Sequence, residues 1–332
     1  MTMADALWIR EADVVEMMHL GEAIDALEAG LRVEAEGGAR NMIKTQLLWG
    51  EGNTLHAIGA TVDGAGFVGT KTWAHTTGGA TPLLILWDSE SGCLKAVIEA
   101  FALGQMRTGA MSGVATRWLA AAQADELAII GTGKQATAQV AAVAAVRPLK
   151  QVRVYSPTPE KRQAFAERLA EMGFPFQVRV AESVEEAVDG ARIVTLATRA
   201  RDPFLNSAML ARGAHVNAIG AIGPERAEFA QDLFARCDRV AADCVPAVRN
   251  LSREFMEQFG EDGAKWADVT PISAVVAKRE TRLADDDLTL FKAMGMGISD
   301  LALGLALFRR AEASGRGRPA PQPQRIPPRL MA

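Results

Sequence analysis

The sequence predicts an α/β fold, a doubly wound parallel sheet joined to a second, α+β module. Three observations predict it. From residue 126 to about 245, short apolar runs alternate with helical segments, the pattern of βαβ units and a parallel sheet. Before residue 124 the texture differs, with one clear helix followed by alternating, strand-like runs. After about residue 290 the chain reads as apolar helix again, beyond the α/β block. A length of 332 residues agrees with about two domains.

In chain order, LGEAIDALEAGLRVEAEGG is a helix: Ile24, Leu27 and Leu31 recur at helical spacing, and Gly37-Gly38 stops it. LHAIGATV and PLLILWD follow as strands, and Asp88–Gly92 (DSESG) reads as a hairpin turn into CLKAVIEA. The α/β block then supplies ELAIIGTG, QVRVYS, FQVRVA, RIVTLAT, HVNAIG and RVAAD as strands. Ser183 followed by Glu186 is a capping box that opens one of the intervening helices. LFKAMGMGISDLALGLALFRRAEA reads as a helix that returns to the first module. The expected partition is a composite α+β substrate-binding and dimerisation domain from 1–124 and 296–313, a nucleotide domain from 125–295, and a tail from 314–332. The tail is rich in Pro and Arg, which suits a disordered segment or one docked extended on a partner.

Apolar residues make up 49% and charged residues 23%, which excludes a disordered chain. A net charge of -4 and a pI near 5.7 exclude the usual nucleic-acid binder. No apolar run reaches the ~20 residues that cross a bilayer, and no leader or acylation motif opens the chain. Cys93, Cys237 and Cys244 form no CxxC pair, and His19, His56, His75 and His215 show no ligand spacing, so no metal site is expected. Buried thiols are the expected state of Cys237 and Cys244. A cytoplasmic location is the simplest address.

The sharpest motif is Gly131-Thr132-Gly133-Lys134-Gln135-Ala136, between the strand ELAII and the helix ATAQVAAVAAV. A GxGxxA alone is weak, but strand before and helix after is the context a Rossmann dinucleotide site requires. Gly131 permits the tight turn, Gly133 lets a pyrophosphate approach the backbone at the helix N-terminus, and Ala136 keeps helix and strand close. The next strand ends Val154-Tyr155-Ser156-Pro157-Thr158, without the acid that grips an NAD ribose. Ser156, Thr158, Lys161 and Arg162 stand where a 2′-phosphate would sit, so NADP(H) is the expected preference and NAD(H) a possible one.

Lys71-Thr72-Trp73, Gln105-Met106-Arg107-Thr108-Gly109-Ala110, the turn GTGKQA, Asn217-Ala218-Ile219-Gly220-Ala221 with Pro224 and Glu228, and Phe291–Asp300 together carry a resemblance. Over nearly its whole length the chain resembles the ornithine cyclodeaminase/μ-crystallin family. The resemblance implies a homodimer. It implies that Lys71 is the active-site lysine beside the nicotinamide, that Arg107 and Arg40 hold the substrate carboxylate, and that Asp300 is the acid near the nicotinamide. Thr108 becomes a cofactor-phosphate contact, and Thr198 and Ile219 line the cofactor. Two arginines can grip a planar carboxylate by paired hydrogen bonds, and a crowded lysine can move protons near neutral pH.

One block departs from the family. Where cyclodeaminases read G-A-D-x-P, this chain reads Gly220-Ala221-Ile222-Gly223-Pro224, and Ile222 cannot act as a base. The expected activity is therefore an NAD(P)-dependent imine or ketimine reductase, or an amino-acid dehydrogenase, with hydride transfer at the α-carbon of a small carboxylate-bearing substrate. The alternatives are a cyclodeaminase that uses Asp300 or Glu225 instead, and a cofactor-dependent ligand binder without turnover. Trp73 is expected to wall the pocket. Gly295 and Gly297 are read either as room for the nicotinamide or as packing, and His75 as a substrate contact or loop filler.

Overall fold

The computed structural model describes residues 5–261 and 263–331. The fold is a mixed α/β one, built on two sheets. Among the described residues the first sheet has nine strands, from Arg318–Ala320 through Ala6–Ile9, Leu94–Glu99, Leu83–Asp88, Phe67–Thr76 and Asn53–Val62 to Ala39–Asn41. Thr45–Trp49 also pairs with Asn53–Val62, and Gly79–Ala80 with Phe67–Thr76. Apart from Ala6–Ile9 on Leu94–Glu99, its pairs are antiparallel. Leu83–Asp88 and Leu94–Glu99 form the hairpin that the DSESG turn predicts.

The second sheet is parallel throughout, in the order Gln177–Val180, Gln151–Tyr155, Glu126–Ile130, Ile193–Leu196, His215–Ala218, Leu288–Lys292, Cys237–Ala242, Val269–Pro271. Its central strands are buried on both faces, so Ile193–Leu196 and Leu288–Lys292 are solvent-free throughout. The order reverses between Glu126–Ile130 and Ile193–Leu196, where such sheets open a ligand crevice at the strands' carboxyl ends.

Two expectations need correction. LTLFK is a strand, and the returning helix starts only at Gly297. A short apolar run has no period to separate a buried strand from a helix. The brief strand Val269–Pro271 was not foreseen, for it carries only three residues. The tail also pairs at home: Arg318–Ala320 is antiparallel to Ala6–Ile9, and the Gln322 amide bonds both backbone groups of Leu94.

The returning helix Gly297–Ser314 packs on the first sheet, as its apolar face requires. Contact is close enough that a Cβ at Gly297 would sit 1.9 Å from the Gly59 carbonyl oxygen. A Cβ at Gly304 would sit 2.3 Å from Leu84. Asn41 caps the helix from a distant strand: its Oδ1 accepts from the Ile298 N–H at 2.9 Å, and its Nδ2 donates to Glu34 at 3.0 Å. Helix Phe101–Leu119 links the two sheets. It presses on the nucleotide-turn helix Ala136–Ala144 at Gly109, where a Cβ would lie 2.6 Å from the Ala138 carbonyl oxygen.

Candidate functional site

Three elements distant in sequence each contribute one charged side chain to a single buried point. Strand Phe67–Thr76 contributes Lys71, helix Phe101–Leu119 Arg107, and the first turn of helix Gly297–Ser314 Asp300. Lys71 is 3% exposed and Asp300 1%. Lys71 Nζ donates to Asp300 Oδ1 at 2.5 Å. Arg107 Nε stands 3.4 Å from the same oxygen without hydrogen-bond geometry. Asp300 Oδ2 is buried with no partner among the described residues. Two cations facing one carboxylate suit a further anion, while the open Asp300 Oδ2 suits a hydrogen-bond donor.

Burial drives the Lys71 ammonium down to about 8 from its ordinary 10.5, with Arg107 adding repulsion while the Asp300 charge opposes both. Gly104 faces it: a Cβ there would lie in van der Waals contact with Nζ, at 3.8 Å. Trp73 walls the same face, its ring centroid 5.1 Å from Nζ. Lys44 is a third cation here. It is half-buried, and burial and then Arg107 lower its pKa, while Asp243 and Asp300 pull it back up. Asp243 closes the far side. It follows the strand Cys237–Ala242 and accepts from the backbone of Cys244, Met294 and Gly295 at 2.6 to 3.0 Å. Burial nonetheless raises its pKa.

The cluster sits at the carboxyl ends of the parallel strands. A Cβ at Gly295, just beyond Leu288–Lys292, would lie 3.0 Å from the Arg107 guanidinium. The glycine turn follows Glu126–Ile130 at the same carboxyl edge of the parallel sheet. Gly131 has φ +108°, and a Cβ there would lie 2.5 Å from the Ala197 carbonyl oxygen, so only glycine fits. Gly133 has open space in front of it. A cradle of bare backbone before a helix N-terminus fits a dinucleotide pyrophosphate. Buried Glu228 braces the floor. It accepts from the Thr198 N–H and hydroxyl, both at 2.7 Å, and from the Gly220 and Ala221 N–H groups at 2.8 and 3.1 Å. One carboxylate thus ties together the ends of two adjacent strands.

The structure brings Lys71, Arg107 and Asp300 together and sets Gly131, Thr132, Gly133, Lys134, Gln135, Ala136, Thr198 and Ile219 along the crevice edge of the parallel sheet. Arg40 is not brought in. Strand Ala39–Asn41 turns Ala39 and Asn41 inward and Arg40 out, 73% exposed and 3.6 Å from Asp63. The inward cation is Lys44, four residues on. Arg162 and Ser156 are also committed elsewhere. The Arg162 guanidinium is buried against Glu182 and the Ser156 carbonyl, and the Ser156 hydroxyl bonds Thr132 and the Thr158 carbonyl. Thr158 and exposed Lys161 are left to meet a 2′-phosphate. The Thr108 hydroxyl donates to Gly104 within its own helix. Glu225 is exposed and paired with Arg226 at 3.0 Å, so it is no buried base. Gly297 serves packing and Gly295 a positive φ of +88°.

Sequence reasoning missed Lys44, Asp243, Glu228 as a brace, and the fully buried pair Lys292–Glu254 behind it. Glu254 accepts from the Glu228 N–H at 3.0 Å and from Ser252 at 2.8 Å. The signal for Asp243 was present, since it is the first residue past a parallel strand. Lys44 carried none, because strand parity there depends on a bend.

No group of metal-ligating side chains and no membrane-length apolar helix occurs among the described residues. The sequence profile of the ornithine cyclodeaminase/mu-crystallin family matches residues 5–315. A Δ1-pyrroline-2-carboxylate reductase of Bacillus cereus is 32% identical over 231 residues, 69% of this chain and 70% of that protein. An alanine dehydrogenase of Archaeoglobus fulgidus is 26% identical over 317 residues, 92% of this chain and 95% of that protein. A solved archaeal alanine dehydrogenase dimer with bound NAD superposes with a TM-score of 0.86 at 25% identity, covering 97% of this chain and 100% of that one. The chain belongs to the ornithine cyclodeaminase/mu-crystallin family.

Proposed function

We propose that this protein is an NAD(P)H-dependent reductase of small carboxylate-bearing imines, which in reverse acts as an amino-acid dehydrogenase. The observation that carries the reading is the buried Lys71–Asp300–Arg107 cluster at the carboxyl edge of the parallel sheet, the edge that also carries the glycine turn. The activities of the reductase and dehydrogenase relatives support it.

Arg107 and Lys44 hold the substrate carboxylate, the first through a planar fork and the second as a point charge. That grip fixes the α-carbon in the crevice. Lys71, half-protonated near pH 8, donates a proton to the imine nitrogen as the α-carbon is reduced. Asp300 holds Lys71 in place and keeps its proton available. A nicotinamide cofactor held at the Gly131–Ala136 turn would supply the hydride. In reverse, Lys71 takes the amine proton and the imine is released to water. Cyclodeamination is disfavoured, for Ile222 is not titratable, Glu225 is at the surface, and Asp300 is engaged by Lys71.

The open backbone at Gly133 suits the pyrophosphate that NAD(H) and NADP(H) share. A preference for NADPH would rest on Thr158 and Lys161, because Arg162 is held by Glu182. A KM for NADPH several-fold below that for NADH is expected, and equal values would remove the preference. A homodimer suits the exposed strand Thr45–Trp49, where Leu47 is 63% and Leu48 67% exposed beside Met42, Ile43 and Leu55. The unbridged Cys237 and Cys244 thiols, pushed up to about 12 and about 11 by burial, are compatible with the cytoplasm as its location. The test of the reading is oxidation of NADPH or NADH with a cyclic imine such as Δ1-pyrroline-2-carboxylate, or with a 2-oxo acid and an amine. Turnover that is lost in Lys71→Ala supports it, and no turnover on any of these overturns it.

A further inference from the structure

The sheet face that carries Lys71 continues past it, and the residues there take no part in the chemistry above. Strand side chains alternate, so Phe67–Thr76 sets Lys71, Trp73 and His75 on one face. The neighbouring strand places Ile58 opposite Lys71, His56 opposite Trp73 and Thr54 opposite His75. His56 and Trp73 stack, with centroids 4.6 Å apart and planes inclined by 18°. The Trp73 ring in turn lies 5.1 Å from Lys71 Nζ. A side chain that leaves an α-carbon held beside Lys71 along this face meets the stacked pair next.

His56 Nε2 is 2.7 Å from the Thr54 hydroxyl. Its Nδ1 is buried and has no hydrogen-bond partner among the described residues. Leaving a buried polar atom unpaired costs about 1–3 kcal/mol, so such an atom beside a binding site points to a partner that arrives with the ligand. Burial holds the imidazole down to about 4, and Lys44 and His75 add positive repulsion. The ring is therefore neutral near pH 7 and carries one N–H. When the Thr54 hydroxyl donates to Nε2, that N–H is on Nδ1. Lys44 is a cation that acts on the ring, so an acceptor is favoured here and a second ammonium is repelled, which sets the Thr54 hydroxyl as the donor to Nε2 and the N–H on Nδ1.

We propose that His56 is a specificity-determining residue whose Nδ1–H, beside the Trp73 ring, receives a hydrogen-bond acceptor on the substrate side chain. The preferred substrate is then a 2-imino acid whose side chain ends in a carboxylate or carboxamide, in place of a plain alkyl or an amine-bearing one. This deepens the reductase reading and rests on it.

The test measures NADPH oxidation with ammonia and three 2-oxo acids of matched shape: oxaloacetate, its 4-amide, and 4-methyl-2-oxopentanoate, whose branched alkyl group replaces the acceptor. The expected result is a kcat/KM at least about tenfold higher for one or both acceptor substrates than for the alkyl one, the worth of one hydrogen bond. His56→Phe keeps an aromatic partner for Trp73 and is expected to bring that ratio near one, with the loss falling on the acceptor substrates. His56→Gln keeps a donor and is expected to retain much of the preference. The relative rates of oxaloacetate and its amide tell a carboxylate-seeking pocket from a neutral one. An intact enzyme that turns over the alkyl acid as well as both acceptors overturns the proposal, as does a uniform loss across all three in both variants. No turnover of any of the three or of the cyclic imine overturns the reductase reading itself.

Discussion

Lys71 owes its usefulness to burial: in water its ammonium would hold its proton too tightly to exchange it near neutral pH. With the group near 8, the donor form dominates below that pH and is lost above it. Reductive kcat/KM should thus fall on an alkaline limb near pH 8, and the oxidative direction should rise over the same interval. Lys71→Arg, which stays protonated, should move the limb beyond the accessible range while lowering the plateau. A pH profile in both directions checks this, and an unmoved limb assigns it to another group. Lys44 and Arg40 offer a paired comparison. Lys44→Ala should raise KM for the carboxylate substrate about tenfold to a hundredfold, the loss of one charge-assisted contact. Arg40→Ala, on the outer face, should leave KM within about twofold. The reverse pattern would restore Arg40 to the site. Lys71, Arg107 and Asp300 were legible only through the family resemblance of the sequence blocks that carry them. Lys44 was not legible, because one residue of strand parity decides which of two nearby cations points inward, and the sequence RNMIK does not record where the strand bends.

At the scale of elements, position in the site is set by glycines. Helix Gly297–Ser314 carries Asp300 on its first turn, and Gly297 lets that turn sit against the Gly59 backbone. Gly297→Ala places a methyl group on a carbonyl that cannot yield, so the helix must lift and Asp300 with it. Gly113→Ala meets the end of the Ile24 side chain, at 2.6 Å, which can rotate away. The first should cost about 1–3 kcal/mol or more and most of the activity, the second less of both. Thermal unfolding together with kcat/KM separates the two, and equal effects would contradict the packing account. Periodicity revealed the βαβ block, the first helix and the DSESG hairpin. It failed at LTLFK, where a run buried on both faces has neither a two-residue nor a helical period. The tail was illegible for a different reason. Its pairing with Ala6–Ile9 is made by backbone groups, which composition does not encode.

For the whole molecule, two properties follow from the way the two sheets are joined. His215 lies at the centre of the parallel sheet, bonded to Thr289 and Asn217, and burial lowers its pKa to about 3 from 6.5. The unfolded chain takes up this proton below pH 6.5 and the fold does not until about pH 3. Stability is therefore full above pH 6.5 and declines through that window as the pH falls. Between pH 7 and 5 this one group should remove about 2 kcal/mol. Urea unfolding of wild type and His215→Gln at both pH values should show a flatter dependence in the variant. The second property is assembly. The apolar strand Thr45–Trp49 is predicted to close a dimer, so Leu47→Glu with Leu48→Glu should shift the mass in solution from near twice 35.4 kDa to the monomer value.

The central claim joins these scales: a buried lysine, set beside Asp300 and Arg107 at the mouth of a dinucleotide crevice, donates the proton in reduction of a carboxylate-bearing imine. The most direct measurement follows NADPH absorbance during incubation with Δ1-pyrroline-2-carboxylate, for wild type and for a folded Lys71→Ala. The account predicts steady oxidation by the wild type and a loss of about a hundredfold or more in kcat/KM for the variant. Equal rates in the two proteins would contradict it.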